Sequence, residues 1–157
     1  MSITVLARNP GPTIQATQVR TPPDVNLDVT IFTGVVECVF KGNAAGIARD
    51  TLSFNIQDPN EEEADLSVDI FSFFGASGTV SLASIAHDGP VNDALWAVDA
   101  TSVGLTNLDR GSGKANLQVT ASLAVRGSNG IVLRTSYTVF ARTFSGAITV
   151  FLPPPGG

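Results

Sequence analysis

Cysteine, histidine and lysine are nearly missing from this 157-residue chain, and each shortage removes a class of chemistry. A single cysteine, Cys38, can neither close an intrachain disulfide nor supply the paired thiolates of zinc and redox sites. A single histidine, His87, excludes a multi-histidine metal centre within one chain, and any catalytic triad would have to be built around it. It sits in AHDGPVND beside Asp88, in what reads as a turn, where sequence neighbours rarely orient one another as base and carboxylate. No GxSxG nucleophile elbow occurs. The stretch GSGK, Gly111 to Lys114, falls short of a phosphate-binding loop: Leu108 stands where its first glycine belongs, and Ala115 follows the lysine. It reads instead as a loop between strands. Nothing in these residues points to a cofactor or to catalysis, with a barrel-type enzyme lacking any recognisable motif as the one exception kept.

Charge is scarce too, at 15% of residues against about 25% in an ordinary domain. Nine basic and 14 acidic residues give a net charge of -5, spread thinly, and Lys41 and Lys114 are the only lysines. With no basic stripe to neutralise phosphates, nucleic acid and anionic membrane are excluded as partners. Residues 70–86 run 17 positions without a charge, at the short limit for a membrane span. The run is interrupted by GASG and holds four serines, so it predicts two strands joined by a tight turn rather than membrane insertion. The start, MSITVLARNPGP, has no basic segment followed by a long apolar one. Cytoplasmic synthesis without a signal peptide is therefore expected, with the final location, an assembled particle or export, left open.

What is present is small and β-prone: Gly, Ser, Thr, Ala and Val fill the chain. Seven of the nine prolines lie towards the ends, at 10, 12, 22, 23 and 153–155. Because proline cannot donate to a ladder, residues 1–23 are expected to form an extended strand and Pro-rich arm, 24–152 one β-sandwich domain, and 153–157 a Pro/Gly tail. Within the body the apolar period is two. Leu117, Val119, Ala121, Leu123 and Val125 alternate with polar or small residues, and Ile131, Leu133, Tyr137 and Val139 share a face in the next strand. Joined by a three-residue G1-bulge loop at 128–130, the two would form a hairpin pairing Val125 with Leu133, Ala121 with Tyr137 and Val119 with Val139. Further strands are expected at 3–7, 27–40 (with a change of face near Gly34), 51–57, 66–74, 79–86, 94–105 and 147–152. About nine strands without helices predict an all-β antiparallel sandwich, jelly-roll-like or Ig-like, with a closed β-barrel as the alternative.

Three groups of side chains carry the functional reading. Strand parity in LSVDIFSFF puts Phe71 and Phe73 opposite the core set Leu66, Val68 and Ile70, and in YTVFARTF it puts Phe140 and Phe144 outward beside Arg142. Four outward phenylalanines are candidate interface residues, unless a bulge returns them to the core. Trp96 and Tyr137 are candidate glycan-stacking platforms, although both sit on the inward parity of their strands. Finally, DPNEEEAD packs five carboxylates into eight residues. Asp58, Asn60 and Glu62 match the first ligand positions of a calcium loop, but Glu63 occupies the position that needs glycine. A short helical turn capped by Asp58 with Pro59 at its first position is the better expectation. The function these features favour is a non-catalytic, self-associating structural or interaction subunit whose partner is itself or another protein. A glycan-binding module and a small-molecule-binding barrel with an apolar cavity are the alternatives.

Overall fold

A computed structural model describes residues 3–19, 26–41, 46–61, 63–87, 95–126 and 130–144. The described residues form nine strands: β1 (Thr4–Pro10), β2 (Ile14–Val19), β3 (Asn26–Lys41), β4 (Ala48–Asn55), β5 (Ser67–Asp69), β6 (Phe73–His87), β7 (Leu95–Asp109), β8 (Lys114–Arg126) and β9 (Gly130–Phe144). β1 and β2 run end to end along one side of β3, followed by β9 and then β6, to make a five-stranded sheet. β4 and β5 lie along one side of β8 and β7 along the other, to make a four-stranded sheet. Every pairing is antiparallel, neither sheet closes on itself, and the fold is an open β-sandwich, which sets aside the barrel.

The core is built by the alternation read from the sequence. Leu117, Val119, Ala121, Leu123 and Val125 of β8 are buried, as are Ile131, Leu133, Tyr137 and Val139 of β9. Their pairing differs from the expected hairpin. β8 bonds to β4, β5 and β7, while β9 bonds to β3 and β6, so the chain crosses from one sheet to the other between them. The two inward rows meet across the core instead of lying side by side. Alternation fixes which face a residue takes but not which strand lies beside it. The loop 127–129 lies outside the described residues.

Other elements depart from expectation for local reasons. The β3–β9 ladder runs without a register shift from Leu27↔Phe144 to Lys41↔Gly130, so β3 does not change face. Phe32, Val36, Cys38 and Phe40 all point inward. Gly34 keeps the same parity because the Tyr137 ring lies against it: a Cβ there would stand 2.4 Å from Tyr137 Oη and 2.7 Å from the Asn9 carbonyl oxygen. GASG is not a turn. It lies inside β6, where Gly78 faces inward and a Cβ would come within 2.8 Å of the Thr138 carbonyl and 3.0 Å of Val103 on the other sheet. Among the described residues there is no helix long and apolar enough to cross a membrane. The N-terminal arm is also not free of the sheet. Residues 4–10 and 14–19 bond to β3, with the break at 11–13 holding Pro12 and with Gly11 N–H donating to the Thr33 carbonyl (2.8 Å). The strand expected at 147–152 and the tail 153–157 lie outside the described residues.

Candidate interaction face

The residues expected as one strand at 66–74 are divided by a turn. β5 ends at Asp69, residues 70–72 turn, and β6 starts at Phe73. The Asp69 carboxylate accepts from the Phe71 N–H (2.8 Å) and its carbonyl from the Ser72 hydroxyl (3.3 Å), a local alternative to the ladder that Asp favours. This turn redirects the phenylalanines. Phe71 is exposed in the turn, with its ring edge over Gly113, whose carbonyl accepts from the Ile70 N–H (3.0 Å). Phe73 pairs with Thr143 and packs against the core, so its expected outward position is corrected. The outward residue is Phe74, the extra residue of a β-bulge between the Phe73↔Thr143 and Gly75↔Arg142 pairs.

Directly paired residues share a face, so the ladders define what the outer surface of the five-stranded sheet displays. One row runs Ile14, Ile31, Phe140, Ser77 across β2, β3, β9 and β6. Ile14 is 54% exposed and Phe140 37%. The next row carries Val29 and Arg142, and beyond it Phe144 meets Phe74 edge to face, ring centroids 5.4 Å apart. Phe74 is 53% exposed. On the other side of the Ile14 row the face turns polar: Thr33, Thr138 and Thr79 form one row, and Ser136 and Ser81 share a 2.9 Å hydroxyl contact in the next. The outer face is thus half apolar and half hydroxyl. Arg142 is exposed within the apolar half, and among the described residues its guanidinium has no hydrogen-bond or ion-pair partner.

Of the two glycan-stacking candidates, the structure describes the side chain of Tyr137 alone. Tyr137 is 3% exposed, its ring 5.3 Å from that of Phe54, and burial raises its hydroxyl pKa above the usual value. It belongs to the core. Trp96 is paired with Val125 in β7, and its side chain lies outside the described residues, as does that of His87.

DPNEEEAD also takes a form of its own. The segment is a turn within a small β-bridge, Gln57↔Asp65, closed by Asp58 N–H to the Ala64 carbonyl (2.9 Å), and none of its described residues is helical. The Asp58 carboxylate accepts from the Asn60 N–H (2.8 Å), a local side-chain turn that occupies it. Glu62, the third calcium candidate, lies outside the described residues, and among those described no three His, Cys, Asp or Glu side chains gather as metal ligands. The acid that reaches furthest is Asp65. It accepts from Arg8 of β1, from Asn55 Nδ2 (2.6 Å) and from Asn116 Nδ2 (3.1 Å), while Arg8 also donates to the Asn55 carbonyl (3.0 Å). Burial pushes the Asp65 carboxyl up, but these hydrogen bonds and the Arg8 charge outweigh it and hold the pKa below the ordinary carboxylate value. A carboxylate kept ionised, with its lone pairs taken by three donors, is a poor proton acceptor and a good tie between the two sheets. The groove beside it, about 630 Å³ and lined by β1, Gln57 and Glu63, is open and mostly polar.

GSGK closes the β7–β8 hairpin, with Asp109 accepting from the Ser112 hydroxyl (2.6 Å) and the Gly111 N–H (2.9 Å). Those contacts depress the Asp109 pKa. Comparison with family models, curated proteins and solved structures finds no match. The reading of this chain therefore rests on its own geometry. Phe74, Ile14 and Ile31 were not among the residues singled out by sequence. The signal for Phe74 was the doubled phenylalanine, where a one-residue slip exchanges the inward ring for the outward one.

Proposed function

We propose that this protein is a non-catalytic structural or interaction subunit that self-associates through the outer face of its five-stranded sheet. The supporting observation is the apolar half of that face, where Ile14, Phe74 and Phe140 are exposed and adjoin Ile31, Val29 and Phe144. Isolated exposed apolar residues are ordinary on any surface, but aromatics in contact on a continuous sheet face mark a surface meant to be covered. Phe, together with an Arg that has no partner among the described residues, is also the composition enriched at the centres of protein interfaces. The hydroxyl half next to it supplies a polar rim. Phe71, on the separate turn at 70–72, lies outside this face.

The test is the mass of the chain in solution. Light scattering or sedimentation of the wild type should give an oligomer, and Phe74→Ser together with Phe140→Ser should shift it to monomer with β-sheet circular dichroism retained. A wild type that stays monomeric across the concentration range would sink the proposal.

A further inference from the structure

We propose that the surface seated on this apolar face is the acidic turn of a second copy of the chain, with Glu61 and Glu63 meeting Arg142. The inference rests on the self-association reading and names the contact that reading leaves open. Of the described basic side chains, Arg8, Arg49 and Arg134 are engaged by Asp65, Asp99 and Glu37 within the chain. Arg142, like Arg110, Lys114 and Arg126, has no such partner among the described residues, and of these four it is the one that stands between Phe140 and Phe144 on the apolar stretch of the face. A cation placed there would be desolvated by any partner that covers the phenylalanines. An uncompensated charge at the centre of an interface is costly, so the partner has to bring carboxylate.

The chain carries a matching element. Asp58 and Asp65 are committed to local and inter-sheet hydrogen bonds, but Glu61 and Glu63 are exposed and have no side-chain partner among the described residues. Backbone bonds from Asp58 N–H to the Ala64 carbonyl and from Ala64 N–H to the Glu61 carbonyl hold the ends of the segment that carries them, which lowers the entropy lost when it docks. Self-association of a chain of net charge -5 is opposed by its own repulsion, and a contact that sets acid against arginine offsets part of it. Face and turn are different surfaces of one molecule. The contact is therefore either made twice across a two-fold axis, each copy giving its turn to the other's face, or repeated head to tail into a ring or filament.

Charge exchange tests this directly. Arg142→Glu, and separately Glu61→Lys with Glu63→Lys, should each weaken association by about tenfold or more, since like charges then face one another. The chain carrying all three substitutions should assemble again, to within about tenfold of wild type, because the pairs are restored with sign reversed. All these positions are exposed, and unchanged circular dichroism checks that each variant is folded. Single-surface variants that assemble like wild type, or a triple variant that stays dissociated, would overturn the proposal. If that happens while Phe74→Ser with Phe140→Ser still gives monomer, the self-association reading survives and only the acidic turn falls. If the wild type is monomeric, both fall.

Discussion

Asp65→Ala should be among the most damaging polar substitutions in the chain, and part of its cost should be lost in acid. The carboxylate accepts from the Arg8 guanidinium and from two amides, Asn55 and Asn116, that lie 10 and 51 residues away. A hydrogen bond to a charged group contributes about 1.5–3 kcal/mol. With the side chains 25% and 30% exposed, screening places the Arg8 bond near the lower limit, about 1.5 kcal/mol. Each amide bond adds about 0.5–1 kcal/mol, so truncation costs about 2.5–3.5 kcal/mol at neutral pH. Because the folded pKa lies below that of the unfolded chain, about 3.9, the contribution is complete above that value and fades as pH falls through the folded pKa. Urea unfolding followed by circular dichroism, at one protein concentration because association adds to apparent stability, measures the difference. Wild type and variant should differ fully at neutral pH, and the difference should shrink as pH falls through the folded pKa. A difference below about 0.5 kcal/mol at neutral pH, or one that persists unchanged in acid, would refute the argument.

Two further substitutions and one reagent probe other parts of the fold. Gly34→Ala forces a methyl to within 2.6 Å of Tyr137 Cζ and 2.7 Å of the Asn9 carbonyl, so it should cost about 1–3 kcal/mol or more, read as a lower Tm in calorimetry. Leaving Tm unchanged would mean that the Tyr137 ring does not lie where we place it. Cys38 is fully buried, and burial, with the Glu37 charge, pushes its thiol pKa up to about 11. An aromatic disulfide reagent at neutral pH should find no reactive thiol in the native protein and one per chain in urea; a fast native reaction would contradict the burial.

The sequence made some of this readable and hid the rest for identifiable reasons. The inward residues of β8 and β9 are legible because a period of two survives over many residues in each strand. Their neighbours are not, since every inward row looks alike to the strand beside it. β2 is masked by prolines that flank it without interrupting it, and residues 70–72 by a local Asp69 turn whose apolar composition resembles a continuing strand. At the candidate face, Phe140 and Phe144 could be placed outward from parity alone. Phe74 could not, because the bulge that turns it outward depends on its pairing with β9. Asp65 looked like one more acid in a solvated run, and its role appears only when β1 and β8 bring Arg8 and Asn116 to it.

The unbroken β3–β9 ladder has a consequence for how the chain is made. Its partners are 117 residues apart at Leu27↔Phe144 and 89 apart at Lys41↔Gly130, and β9 is also the strand to which β6 bonds. At roughly 5–20 residues per second of synthesis, β3 waits on the order of 5–20 s for the strand that completes its sheet. During that interval one long edge of β3, and all of β6, have no strand to bond, and Phe32, Val36, Cys38 and Phe40 have no finished interior to enter. A ribosome-bound chain should therefore hold chaperones until β9 emerges, and arrest of translation just before residue 130 should leave the most aggregation-prone nascent species.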